Sequence, residues 1–241
     1  MVIFRPAFQA LQQNWAPVLV YMAVSFLLSA SRLGVDTYVF PDVTRQDADT
    51  LTRTYMLGID VAVMAIIALA QTIAFSRIGR EIDRPMWRVS NDRLAISLFY
   101  KLWLLLAMMQ LTTEQILVIV VQGTQDAAAQ LMLYLMWMLF ISLLTPLGAC
   151  IMFYGRVGRH EAGQAFSTMV RHLPTTLMIA MIGVLFGMIL IDLQPSLPEA
   201  ALPALALAGG YVDCFLFAAM WLVCIHHRDD FEDEEDDDFN F

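Results

Sequence analysis

Long apolar stretches alternate with short polar segments along the whole chain. A hydrocarbon core about 30 Å thick is crossed by about 20 mostly apolar residues in a helix. The stretches that meet or approach this length are Trp15–Arg32, Tyr55–Ser76, Leu94–Thr113, Ala129–Phe153, Pro174–Leu193 and Leu202–Ile225. The pattern predicts an all-α polytopic membrane protein with six transmembrane helices.

Composition supports this prediction. Of the 241 residues, 59% are hydrophobic and 15% are charged, whereas soluble domains average about 45–50% apolar and about 25% charged residues. A soluble core of this size cannot bury so many apolar side chains, so we expect membrane lipids as partners.

The net charge of -9 comes from one end of the chain. Nine of the ten residues from Asp229 to Asp238 are acidic, which leaves 14 basic and 14 acidic residues elsewhere. The neutral body lacks the basic surface of a nucleic-acid-binding protein. We predict a transmembrane domain over 1–228 and an acidic, disordered cytoplasmic tail over 229–241. The tail, with Phe231, Phe239 and Phe241, either docks on a basic cytoplasmic partner or stays solvated.

Arginines predict the orientation of the spans. Eight of them occupy the segments between spans two and three and between spans four and five: Arg77, Arg80, Arg84, Arg88, Arg93, Arg156, Arg159 and Arg171. The loops after spans three and five carry no Lys or Arg, and the first outer loop dilutes two arginines with four aspartates. The positive-inside rule therefore places both termini in the cytoplasm of a bacterial inner membrane protein.

An aromatic residue recurs at a spacing of 79 residues before each odd-numbered span. Phe8, Trp87 and Phe166 occupy these positions. Each lies in a short lead-in with helical apolar spacing, which is typical of an amphipathic helix in the headgroup layer with its aromatic ring toward lipid or protein. We predict three repeats of an interfacial helix and a transmembrane hairpin, over about 1–79, 80–158 and 159–228; chance offsets are the alternative.

The motif R-[IV]-G-R ends the second span of the first two units, at 77–80 and 156–159. Gly79 and Gly158 are expected to let the chain turn where a span ends. The flanking arginines Arg77, Arg80, Arg156 and Arg159 are expected to reach lipid phosphates or the last carbonyls of the span. A dedicated site for an anionic ligand is the alternative.

The lead-ins "RPAFQALQQNWAP" and "GQAFSTMVRHLPTT", each running directly into a span, resemble those of bacterial six-span YciC-like proteins. They also resemble the membrane domain attached to some glycerophosphodiester phosphodiesterases. The resemblance covers most of the chain and implies the architecture only. The phosphodiesterase catalytic domain is absent from this sequence, and no activity is carried over.

Three charged residues fall inside the predicted spans, where such residues are the first functional candidates. Asp60 and Lys101 lie near opposite ends of their helices, so each can extend toward a headgroup layer. Asp213 lies 15 residues before Arg228, near the middle of the membrane. It must be protonated or bonded to a polar group of another helix, with Gln71, Thr72 and Gln110 as candidates. Helix packing and proton or ion coupling both remain open for it.

The run "ILVIVV" at 116–121 follows the predicted end of span three near Thr113. We expect this apolar segment of the outer loop to be covered by the protein's own helices or by a partner subunit.

Other chemistry has little support. Cys150, Cys214 and Cys224 lie in apolar runs without metal-ligand spacing, so we expect buried small side chains. The four histidines lack the spacing of a zinc site, and no catalytic signature is present. We therefore expect no metal, no cofactor and no enzymatic activity. The sequence favours an accessory or scaffold subunit of a larger inner-membrane assembly; the alternative is a small transporter or lipid-handling permease that uses Asp213.

Overall fold

The computed structural model describes residues 3–40, 50–82, 89, 91–155 and 158–237, with the backbone alone over 229–237. Its α-helices are α1 (Phe4–Gln13), α2 (Trp15–Tyr38), α3 (Thr50–Ile82), α4 (Asp92–Gly123), α5 (Ala127–Phe153), α6 (Arg159–Arg171), α7 (Leu173–Leu193) and α8 (Leu202–Asp237). Two short 3-10 turns precede α8. These described ranges contain no β-strand. Six of the helices (α2, α3, α4, α5, α7 and α8) are long and apolar enough to cross a membrane, which confirms the predicted fold class.

The six spans form an up-and-down bundle in which α8 packs against α2, α3, α5 and α7. Three contacts lie at one end of the bundle: Arg77 with Asp92, Tyr154 with Thr168, and His172 with His227. We call this the terminal end, because α1 and α6 lead into the bundle there. The opposite end, with the turn at 124–126 and the segment 194–201, is the hairpin end.

Aromatic side chains fill the half of the bundle nearer the terminal end. Phe75 stacks on Phe217 with ring centroids 4.5 Å apart and meets the edge of Trp103 at 4.8 Å. Trp221 continues this cluster 5.3 Å from Phe217 and 5.3 Å from Phe153. Phe75, Phe217 and Trp221 are fully buried. We call these five side chains the aromatic seal, because they close this half of the bundle.

Gly79 permits this packing and does not form the turn that was predicted. α3 continues to Ile82, so Gly79 is an ordinary helical position. A Cβ atom added there would lie 3.1 Å from the ring of Trp221, so glycine permits the close contact of α3 with α8. At the end of α5, the left-handed backbone belongs to Gly155, with φ 87°, whereas Gly158 is the extended N-cap of α6.

Two of the three predicted lead-in helices are described, α1 and α6. α1 buries Ala7 and Leu11 and stacks Phe4 on Phe215 of α8 at 6.1 Å. Phe8 of α1 and Phe166 of α6 are 45% and 65% exposed, as expected of rings that face lipid. The middle lead-in, with Trp87, lies outside the described residues, so the threefold repeat stays a prediction.

The predicted end of span three near Thr113 was wrong. α4 continues ten residues past Thr113 to Gly123, so "ILVIVV" is helical. The hydroxyls of Thr112 and Thr113 bond back to carbonyls of the preceding turn and do not interrupt the helix. α8 is described as far as Asp237, and the acidic tail over 229–241 stays a prediction.

Candidate functional site

A partly open cavity of about 450 Å³ occupies the half of the bundle nearer the hairpin end. All six spans contribute to its wall. On α8 the lining runs from Leu216 toward the hairpin end as far as Ala206, four residues after the start of the helix. On α7 it reaches Ile191, two residues before the end of the helix. Of the aromatic seal, only Trp103 borders the cavity, and the other four rings are not part of its lining. The bundle is therefore hollow in one half and packed in the other.

The floor of the cavity holds a chain of hydrogen bonds through three spans. Tyr21 of α2 donates from Oη to Oδ2 of Asp213 on α8, at 3.0 Å. Gln71 of α3 donates from Nε2 to Oη of Tyr21, at 3.1 Å. Tyr21 is 2% exposed, whereas Asp213 and Gln71 are partly exposed where they line the cavity. The carboxylate of Asp213 thus has a hydrogen-bond partner inside the bundle.

The partner is not one of those predicted. Gln71 reaches Asp213 only through the phenol of Tyr21, and Thr72 donates to the carbonyl of Ala68 in its own helix. Gln110 lines the same cavity. Tyr21 could not be recognised from the sequence, because an aromatic residue early in a span is ordinary for a membrane protein.

Gly210 explains how Tyr21 reaches Asp213. A Cβ atom at Gly210 would lie 3.3 Å from Cα of Met22, one residue after Tyr21. The backbones of α2 and α8 therefore approach closely at this level, as small residues allow in membrane helices. In the sequence, the pair "GG" directly before Tyr211 is the signal for this contact.

Further polar groups line the cavity besides these three residues: Ser25, Gln110, Ser142 and Thr145. The rest of the wall is mainly aliphatic and aromatic. Small-molecule sites have this character, since apolar walls bind the body of a ligand and a few polar groups orient it.

Asp60, which was expected to extend toward a headgroup layer, forms an ion pair with an arginine of a neighbouring span. Its Oδ1 lies 3.0 Å from Nε of Arg32 on α2, and Arg32 also lies 3.1 Å from Asp36. Arg32 and Asp60 side chains are only 15% and 12% exposed. The pair connects α2 to α3 toward the hairpin end, apart from the cavity. Lys101, by contrast, is exposed on the surface of α4, and its extension toward the headgroup layer stays a prediction.

The arginines of the R-x-G-R motif contact a carboxylate. Arg77 donates from Nη2 and Nε to Asp92 at 2.5 and 3.3 Å, and Arg80 donates to the same carboxylate at 3.1 Å. Asp92 opens α4, so the two arginines connect the end of α3 to the start of the next span. Arg159 is exposed in the first turn of α6, and Arg156 lies outside the described residues.

The cysteines are buried, as predicted. The Sγ atoms of Cys150 and Cys224 lie 3.1 Å apart where α5 packs on α8. At the terminal end, Nε2 of His172 lies 3.0 Å from Nδ1 of His227. Over the described ranges, no group of three or more His, Cys, Asp or Glu side chains is arranged to hold a metal ion.

Comparison with known proteins gives no relative from which an activity can be transferred. No family model, no curated protein and no solved structure matches this chain. The site must be interpreted from its own geometry.

Proposed function

We propose that this chain is a small permease of the bacterial inner membrane that binds its substrate in the cavity above Asp213. The observation that carries the proposal is the contrast between the two halves of the bundle. One half is hollow and lined by polar groups at its floor, and the other is closed by the aromatic seal. A carrier that is open to one side of the membrane has this form.

The convergence of polar groups favours transport over a purely structural role. Sequence alone places a single carboxylate at mid-depth, and transporter sites usually combine several polar groups there. Tyr21 and Gln71 join Asp213 at the cavity floor, with Ser142 and Thr145 in the same lining. A carboxylate needed only to hold two helices together does not require a cavity beside it.

Movement between two open states is expected to use α5. Pro146 lies inside this helix, where it removes one backbone hydrogen bond and makes bending easier. Gly148 follows two residues later and accommodates the ring of Trp103, since a Cβ atom there would lie 2.5 Å from it. Both residues lie between the cavity and the terminal end. With both termini in the cytoplasm, the cavity opens toward the periplasm.

The proposal is tested by cysteine labelling with a membrane-impermeant thiol reagent. The three native cysteines are buried and provide a low background. Ser25→Cys lines the cavity and should react from the hairpin-end side. Ser76→Cys is the matched control, because Ser76 is fully buried beside Phe75 and should not react from that side.

A permease must also open toward the other side. Ser76→Cys should therefore react slowly when the reagent is applied at the terminal end. No labelling of Ser25→Cys from either side would contradict an open cavity. Labelling of Ser25→Cys with lasting protection of Ser76→Cys would contradict transport and leave only a binding cavity.

A second candidate is an accessory or scaffold subunit of a larger membrane assembly. It is favoured by the extension of α4, whose 32 residues span about 48 Å at 1.5 Å per residue, longer than a hydrocarbon core. Apolar side chains are exposed on this extension and on the adjoining start of α5: Ile116, Val118, Ile119, Val120, Leu131, Met132 and Met136. Purification in mild detergent distinguishes the two proposals, because a subunit should elute with stoichiometric partners and a permease should elute without them.

A further inference from the structure

We infer that the ligand of this cavity is a lipophilic monocation, such as a protonated or quaternary amine on an aromatic or aliphatic body. The inference rests on the proposed function and specifies its substrate class. Asp213 is the counter-ion, and the apolar wall binds the body of the ligand. Three properties of the cavity lead to this class: the charge of its lining, the Oδ1 atom of Asp213, and the apolar and aromatic character of its wall.

In the part of the chain that the structure describes, the lining of the cavity carries negative charge and no positive charge. Among the described residues that line the cavity, Asp213 is the only one that carries a formal charge at neutral pH. Lysine and arginine, which recognise phosphate and carboxylate groups, do not contribute to this lining. An anionic substrate would meet a carboxylate with no cation beside it in the described lining, at a high electrostatic cost in a medium of low dielectric constant.

The carboxylate also has an oxygen left for a ligand. Oδ2 accepts the hydrogen bond from Tyr21, and none of the described side chains donates to Oδ1. The tyrosine fixes the orientation of the carboxylate, and Gln71 fixes the orientation of the tyrosine. An ammonium group at Oδ1 would complete the charge balance of the site without displacing either bond.

The wall favours an organic cation over a metal ion. Aromatic rings border the cavity at Tyr21, Trp103, Trp137 and Phe186, and aromatic faces attract organic cations when they are desolvated. A small inorganic cation needs several oxygen ligands around it, whereas most of this lining is apolar. The volume of about 450 Å³ lies within the range of small-molecule sites, about 300–1,000 Å³.

The test uses three probes of similar size on the full chain in detergent or nanodiscs. Tetraphenylphosphonium is the cation, tetraphenylborate is the anion of the same shape, and triphenylphosphine oxide is a neutral compound. The cation should bind, the anion should not compete for its site, and the neutral compound should bind more weakly. Asp213→Asn should weaken cation binding about tenfold or more, because the phosphonium loses its negative counter-charge in a medium of low dielectric constant.

Asp192→Asn is the matched control, because Asp192 is an exposed carboxylate at the end of α7, outside the cavity lining. It should leave cation binding unchanged. If Asp213→Asn does not fold, protection of Ser25→Cys from thiol labelling replaces the binding measurement on that variant. Tetraphenylphosphonium should slow the labelling of Ser25→Cys, and tetraphenylborate should not.

The outcomes separate the inference from the proposed function. Equal binding of all three probes, or cation binding that Asp213→Asn leaves unchanged, would overturn the substrate class while the cavity still binds ligands. Tetraphenylborate binding that excludes tetraphenylphosphonium would also overturn it. Absence of binding by every probe, together with an unlabelled Ser25→Cys, would overturn both.

Discussion

Tyr21 donates a hydrogen bond to Asp213 across 192 positions of sequence, at 3.0 Å. The bond joins the first span to the last one at the floor of the cavity. Because the phenol also accepts from Gln71, one side chain connects three helices. A buried carboxylate in a membrane is costly without such a partner, so this bond should matter for both stability and binding.

Tyr21→Phe tests the bond directly. The ring remains packed 5.5 Å from Phe75, but the donor to Asp213 and the acceptor for Gln71 are lost. We expect the free energy of unfolding to fall by about 1–3 kcal/mol, because the carboxylate of Asp213 loses its hydrogen-bond donor. Unfolding in mixed micelles measures this change. Tyr55→Phe, at a tyrosine that is 61% exposed, should have no measurable effect; equal losses in both variants would count against the bond.

Gly79→Ala tests the contact of α3 with the aromatic seal. The added Cβ atom would lie 3.1 Å from the ring of Trp221, which is buried and cannot easily move. We expect a loss of about 1–3 kcal/mol in the free energy of unfolding, as for overpacked cores. Gly58→Ala is the matched control in the same helix, since nothing lies within 4 Å of its added Cβ atom. It should be neutral or stabilising by up to about 1 kcal/mol, and a reversed order of the two variants would contradict the packing argument.

The orientation can be mapped with introduced cysteines. The excess of arginine at the terminal end predicts that this end is cytoplasmic. Cysteines at Thr44 and Gln125 should therefore react with an impermeant reagent applied to intact cells. Cysteines at Ser90 and Ser167 should react only after the membrane is opened. The opposite pattern would reverse the orientation and direct the cavity toward the cytoplasm.

Removal of residues 229–241 should leave insertion and folding unchanged. The deletion begins after Arg228, where the candidate span of α8 ends, so it removes no membrane-crossing turn. If the tail docks on a basic cytoplasmic partner, its loss should reduce recovery of that partner, and salt should do the same by screening over about 8 Å at physiological ionic strength. Pull-downs with and without the tail, at low and high salt, measure both effects; equal recovery in all four would indicate a solvated tail.

The sequence by itself determined the number and the approximate position of the spans, and the presence of α1 and α6. These features depend on local composition, because about 20 apolar residues in a row are sufficient to span the hydrocarbon and a short amphipathic stretch is sufficient to lie at its surface. It also singled out Asp213 as a charge predicted to lie too deep to reach a headgroup layer, and this residue lies at the floor of the cavity. The end of α4 was missed, because a helix can continue past the membrane wherever no residue stops it.

Only the tertiary structure decided which side chains meet. Tyr21 with Asp213, Arg32 with Asp60, and Arg77 with Asp92 each join different helices. The depth of a residue in its own span does not predict such pairs, because helices shift along one another until their surfaces fit. The close approach at Gly210 sets the level at which α2 meets α8. The cavity follows from the same packing, since its shape depends on the distances between six helices and not on the composition of any one of them.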